Sequence, residues 1–263
     1  MYGKQTLKQL AEKYEHSHIW VRRQLDLMPT PKPTITPQET VVVSDTTFWG
    51  RHYGVTVFRA PLLSANVWWD EVRSERVATY HYGRKILEGK GWKFTAAVVD
   101  GRRGLINVFN DIPVQMCQFH QIKIVTRYLS RRPRSDAGKE LRILALTLTK
   151  TNEKTFTGEM NEWHEKWSGY IREKTYDTFP TGKKKWHYTH GKVRSAYRSL
   201  KNNLPHLFTY LKYPELNIPN TTNSLDGSFS ALKKKLAVHH GLRKDRRYKV
   251  ISQILKDSRP RAS

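Results

Sequence analysis

The chain has one cysteine, Cys117, in 263 residues. A lone cysteine excludes an intramolecular disulfide and any multi-cysteine zinc ribbon within these residues, and it fits a reducing compartment. Acidic side chains are scarce: 23 Asp and Glu stand against 47 Lys and Arg, a formal net charge of +24. No apolar run approaches the ~18 residues of a membrane span, and there is no signal-peptide pattern. Internal repeats are absent, and the only biased stretch is the proline-rich MPTPKPTITPQ. A membrane-embedded protein and a disulfide scaffold are thereby excluded, and a cytoplasmic location is expected.

A charge of this size, spread along the chain, is the electrostatic footprint of a polyanion binder. Nucleic acid is the expected partner, with a ribosomal-type or membrane-surface protein as the alternatives. Eight Trp and thirteen Tyr are plentiful for this length. Most should be core, and some could stack on bases.

Residues 1–28 read as a compact helical unit. Thr6 and Gln9 have capping-box spacing, and Leu7, Leu10, Ala11 and Tyr14 then fall on one helical face. Ser17 can cap a second helix, HIWVRRQLDL, with Ile19, Val21 and Leu25 available for packing. Two short helices joined by a three-residue turn fit either a helix-turn-helix or an ordinary helical hairpin. The charge context favours DNA binding, with Arg22, Arg23 and Gln24 as its contacts. Pro29, Pro31, Pro33 and Pro37 then define a semi-rigid linker over 29–39.

Residues 40–120 read as mixed α/β. Strands are predicted at Thr40–Ser44, Tyr53–Arg59, Asn66–Val72, Phe94–Val99 and Val114–Phe119, with a helix at Arg76–Leu87. The fourth strand can pair beside the first. From 121 to 218 the pattern turns helical with no clear strand, and Trp163 and Trp167, spaced i, i+4, read as core of that segment. Residues 219–240 return as a polar turn and a helix, and 241–263 form a basic tail, helical in part.

Three aspartates stand out: Asp45 in VVVSDTTFWG, Asp100 in AAVVDGRRG and Asp226 in NTTNSLDGSFSALKKKL. The first two are expected at strand ends, the third on a helix. An Asp at a strand end is usually a turn or cap residue. Grouped carboxylates, however, are what hold Mg²⁺ or Mn²⁺ against phosphate oxygens. Two such ions about 3.5–4 Å apart can clamp the attacking and leaving oxygens of a phosphodiester. Lys233 and Lys234, on the same helix as Asp226, are placed for backbone phosphates. The runs Lys183–Lys185 and Lys192/Arg194/Arg198/Lys201 could line a DNA path or form a solvated face. His239 and His240 read as DNA-facing or capping residues, and Trp49 as packing beneath the site.

With VVVSDTTFWG, VVDGRRGL, CQFHQ and NTTNSLDGSFSALKKKLAVHHGL behind the helix pair, the chain resembles the DDE transposases of the Mutator-like superfamily of bacterial insertion sequences. The resemblance covers most of the length. It implies an RNase H-like mixed sheet with an all-α insertion before the last acid, behind a small helix-turn-helix domain. It also implies two metal ions, with Asp45, Asp100 and Asp226 as ligands, and cleavage and joining of DNA. The implied partners are terminal inverted repeats and target DNA, engaged by a homo-oligomer at the nucleoid. Cys117-x-x-His120 matches a C/D-x-x-H signature after the second acid, and two ligands are too few for zinc. A packed cysteine and a hydrogen-bonded histidine supporting the site is the expectation there. Asp226 departs from the family's usual Glu by one methylene, and Glu215, the nearest competitor, lies outside the helix pattern. The family's frequent zinc ribbon ahead of the helix pair has no counterpart in this sequence. The alternatives are an inactive transposase-derived DNA-binding protein and an RNase H-like nuclease that does not join strands.

Overall fold

The computed structural model describes residues 5–178, 184–237 and 241–258. In chain order the elements are α1 (Leu7–Lys13), α2 (His18–Leu27), β1 (Glu39–Phe48), β2 (Gly54–Ala60), β3 (Ala65–Val72), α3 (Val77–Gly89), β4 (Lys93–Val99), α4 (Leu105–Val108) and β5 (Val114–Met116). They continue with α5 (Gln118–Leu129), α6 (Asp136–Thr147), α7 (Glu153–Trp167), β6 (Lys174–Thr178), β7 (Lys184–Tyr188), α8 (Gly191–Leu207), α9 (Thr209–Lys212), α10 (Asn223–Ala237) and α11 (Lys244–Lys256). The strands form a mixed five-stranded sheet, ordered β3-β2-β1-β4-β5, and a separate β6-β7 ribbon. The chain divides into two compact units, Met1–Lys93 with Asn223–Ser263, and Phe94–Thr222.

In the first unit the local signals act as expected. Thr6 Oγ1 accepts the Gln9 N–H (3.2 Å) while Gln9 Oε1 accepts the Thr6 N–H (2.8 Å), which closes the capping box of α1. Ser17 Oγ accepts the Trp20 N–H at the start of α2. Val21 is buried, whereas Ile19 is exposed.

β1, β2 and β3 pair antiparallel, and opposed residues share a face of the sheet. Thr46, Thr56, Phe58 and Trp68 face α3. There Tyr80 Oη lies 2.9 Å from Thr46 Oγ1 and donates to Glu75 Oε1 at 2.7 Å. Val43, Asp45, Val57 and Trp69 occupy the other face, and Trp69 Nε1 donates to Ser252 Oγ of α11 (3.0 Å). The basic tail is therefore a helix seated on the sheet, and α10 packs against both α11 and β1.

The second unit is built around a helical core. Leu141, Leu144, Phe156, Met160, Trp163, Leu200 and Phe208 are buried together, and Trp167 packs against them. Trp163 stacks on Tyr197 at 5.2 Å between ring centres and donates from Nε1 to the Ala137 carbonyl. Both tryptophans thus have the core role expected of their spacing.

Three expectations need correction. Asp45 does not end its strand: β1 continues to Phe48 because Thr46, Thr47 and Phe48 pair with Thr56, Val55 and Gly54, and such residues suit a pleated surface. The last core strand stops at Met116 rather than Phe119, since Cys117 becomes the N-cap residue of α5. The segment expected to be all-α contains the antiparallel β6-β7 ribbon, in which Tyr176 opposes Trp186 and Lys174 opposes Tyr188. Aromatics and Thr raise strand propensity there, but the lysines between them masked the alternation.

Candidate functional site

Within the first unit, Asp45 sits on β1 with 7% of its surface exposed. Its Oδ1 accepts the Thr46 N–H at 2.8 Å, which fixes the carboxylate against the strand. It occupies the face that carries α11, and α10 packs on β1. Asp226 lies in the first turn of α10 and is half-buried. A carboxylate there is favoured by the positive end of the helix dipole. Lys233 and Lys234 follow about two turns later, both exposed. One unit thus contains the first and third of the aspartates and the cations expected near the third.

Asp100 belongs to the other unit and directly follows β4. Its Oδ1 accepts the Arg102 N–H at 2.9 Å, an Asx-type turn. A Cβ at Gly101 would run into Met116 Cε and lie 2.9 Å from Ile124 Cδ1, so a side chain there would have to displace the ends of both. Gly104 has φ +89, which glycine adopts without strain. The DGRRG sequence is therefore a turn whose glycines serve packing and backbone geometry, while Arg102 and Arg103 stay exposed.

In the same unit Cys117 and His120 meet through a residue that spacing did not single out. Thr222 Oγ1 lies 3.4 Å from Cys117 Sγ and 3.4 Å from His120 Nδ1, and the Thr222 N–H donates to Cys117 Sγ at 3.3 Å. Burial pushes the Cys117 thiol up. The hydrogen bond and charge of His120, with Thr222, outweigh this and hold it below its ordinary value. The cysteine is fully buried. By its residues the Asn-Thr-Thr-Asn run reads as a turn, and Thr222 lies about a hundred residues from its partners. No local signal could find it.

Oxygen donors from carboxylates suit a hard divalent ion. Among the described residues no group of three or more His, Cys, Asp and Glu side chains is gathered closely enough to hold one. The donor chemistry of Asp45, Asp100 and Asp226 therefore fits Mg²⁺ or Mn²⁺, without a preformed cluster of all three.

Of the candidate DNA contacts, Arg22, Arg23 and Gln24 are exposed on α2, and Lys192, Arg198 and Lys201 on α8. Trp49 lies in the β1-β2 turn, its ring 5.9 Å from that of Tyr53. Lys183, His239 and His240 lie outside the described residues.

The fold and these groups define a mixed α/β protein with one buried and two half-buried aspartates and a strongly basic composition. No helix among the described residues is long and apolar enough to cross a membrane. No protein-family profile matches the chain, and no curated protein is significantly similar to it.

Proposed function

We propose that this protein is a metal-dependent DNA transposase with an RNase H-like core, and that Asp45, Asp100 and Asp226 are its catalytic carboxylates. The observation that carries the reading is the placement of Asp45 and Asp226 in one unit, on a strand and on the helix packed against it. That arrangement accounts for an acid arriving so late in the sequence. Two bound Mg²⁺ or Mn²⁺ ions would polarise the phosphodiester and activate the attacking hydroxyl. The chain's own residues do the rest. Thr46 N–H orients Asp45, Arg102 N–H orients Asp100, and Lys233 and Lys234 bind backbone phosphates on the approach to Asp226. Cys117, Thr222 and His120 brace the start of α5. Arg22, Arg23 and Gln24 of the helix-turn-helix contact duplex DNA at the terminal inverted repeats. The protein acts on paired ends as a homo-oligomer at the nucleoid.

The test is a nicking and strand-transfer assay on a duplex bearing the terminal inverted repeat beside the gene, in Mg²⁺ and in EDTA. Joined strands in Mg²⁺ alone support the reading. Full activity of Asp45→Asn overturns it. Fragments with 5′-phosphates and no joined product indicate a nuclease of the same fold. Salt-sensitive binding with no cleavage indicates a DNA-binding protein.

A further inference from the structure

We infer that the β6-β7 ribbon is a stacking platform for an unpaired strand of nucleic acid. The register places Lys174, Tyr176, Trp186 and Tyr188 on one face. The opposite face satisfies itself, with His187 Nδ1 3.1 Å from Asp177 Oδ2 and the Thr175 and Thr189 hydroxyls 2.8 Å apart. On the aromatic face, cationic side chains lie against the rings of Trp186 and Tyr188. Tyr176 is 65% exposed and Trp186 47% exposed, although rings of this size normally dominate cores and interfaces.

The cations beside these rings identify the occupant. Lys174 Nζ lies 4.0 Å from the Trp186 ring centre, and Arg194 of α8 places its guanidinium 3.8 Å from that of Tyr188. An apolar protein partner would have to desolvate both charges. A nucleic-acid strand pairs them with phosphates while its bases lie against the open rings, an arrangement that tolerates any sequence because every base has a π-face. The net charge of +24 favours the same polyanion. An unpaired strand is specified because the base faces of a duplex are stacked on one another, and only base edges are open to a ribbon lying in a groove. The platform suits a frayed or displaced strand.

This surface uses none of the carboxylates assigned above, so it is tested in EDTA. Anisotropy of a labelled oligo-dT and of a duplex of equal length, at one fixed salt concentration, measures both affinities. The Tyr176→Ala/Trp186→Ala double variant should bind oligo-dT about tenfold more weakly or worse, with duplex binding unchanged. Trp186→Phe should keep most of the affinity. Both side chains are exposed, so the double variant should melt like the parent. Unchanged oligo-dT binding, or equal losses for the two DNAs, overturns the inference. If the double variant binds oligo-dT normally while the parent still joins strands, only this inference falls. If the ribbon is needed for oligo-dT but the parent never cleaves, only the proposed chemistry falls.

Discussion

Asp26 and Arg246, near opposite ends of the chain, hold each other at two points: Nε to Oδ1 and Nη2 to Oδ2, both at 2.6 Å. Lys249 Nζ adds a bond to the Asp26 carbonyl at 2.5 Å. The pair ties α2 to α11, which is itself anchored by Ser252 to Trp69 and by its Leu255 carbonyl to Asn66. Bidentate geometry gives this contact directionality that a single lysine bridge lacks.

The first prediction follows from that latch. Among residues of α1 and α2 only Ala11 and Val21 are buried, so the helix pair has little apolar area with which to hold its place. Arg246→Ala should speed amide exchange across residues 5–28 at neutral pH and leave β1-β3 unchanged. The Arg246 hydrogen bond comes first among the causes that hold the Asp26 carboxyl below its ordinary 3.8. Its folded value is depressed, so the contribution is present above pH 3.8 and is lost as pH falls through the lowered value. Salt should weaken the latch, since the carboxylate is at the surface. Equal exchange rates in parent and variant at low salt would refute it.

A second prediction concerns the length of the third carboxylate. Asp226→Asn and Asp45→Asn should each lower strand transfer roughly 10²-fold or more, with oligonucleotide binding in EDTA intact. Asp226→Glu extends the side chain by the methylene that distinguishes it from the family's usual residue, and it should retain or raise activity. Calorimetric titration with Mn²⁺ should give weaker binding to the Asn variants and not to Asp226→Glu.

Thr222 offers a third. Its hydroxyl touches both Cys117 and His120, and Thr222 and Cys117 are themselves fully buried. Thr222→Val keeps the shape and removes the hydrogen bonds, which should cost about 1–3 kcal/mol in urea denaturation. It should also raise the pH at which the thiolate absorbance of Cys117 appears, because one of the groups that lowers the thiol is gone. In the parent, a thiol depressed on folding adds stability above its ordinary value of 9.0, and that increment is lost as pH falls through the lowered value.

A fourth addresses the packing behind Asp45. A Cβ at Gly83 of α3 would stand 2.7 Å from Trp68 Cζ3 and 3.0 Å from Phe58 Cε2, rings that cannot swing away. Gly83→Ala should destabilise the protein by about 1–3 kcal/mol despite its better helix propensity. Thermal unfolding that shows no loss would mean the helix shifts outward without cost.

Much of the fold was legible because its signals are local. Thr6 and Gln9 mark the start of α1 three residues apart, and the β-branched run from Thr40 to Val43 marks β1. The ribbon was missed because its strands are short and lysine-rich, and their pairing supplies a stability that their composition does not advertise. Asp45 was displaced from strand end to strand middle for a related reason. Its three following residues stay in the sheet only because β2 is there to bond them.

By itself, then, the sequence determined the capped helices, the mixed α/β alternation, the net charge of +24 and the positions of the three aspartates. These depend on neighbours along the backbone and on counting charges. Tertiary structure alone decided that Asp45 shares its sheet face with the cover supplied by α11, that Thr222 closes on Cys117 and His120, and that Arg246 captures Asp26. Each joins groups many residues apart, and no periodicity encodes such a pairing. The burial of apolar surface in each unit brings those groups within bonding distance, and their chemistry then holds them there.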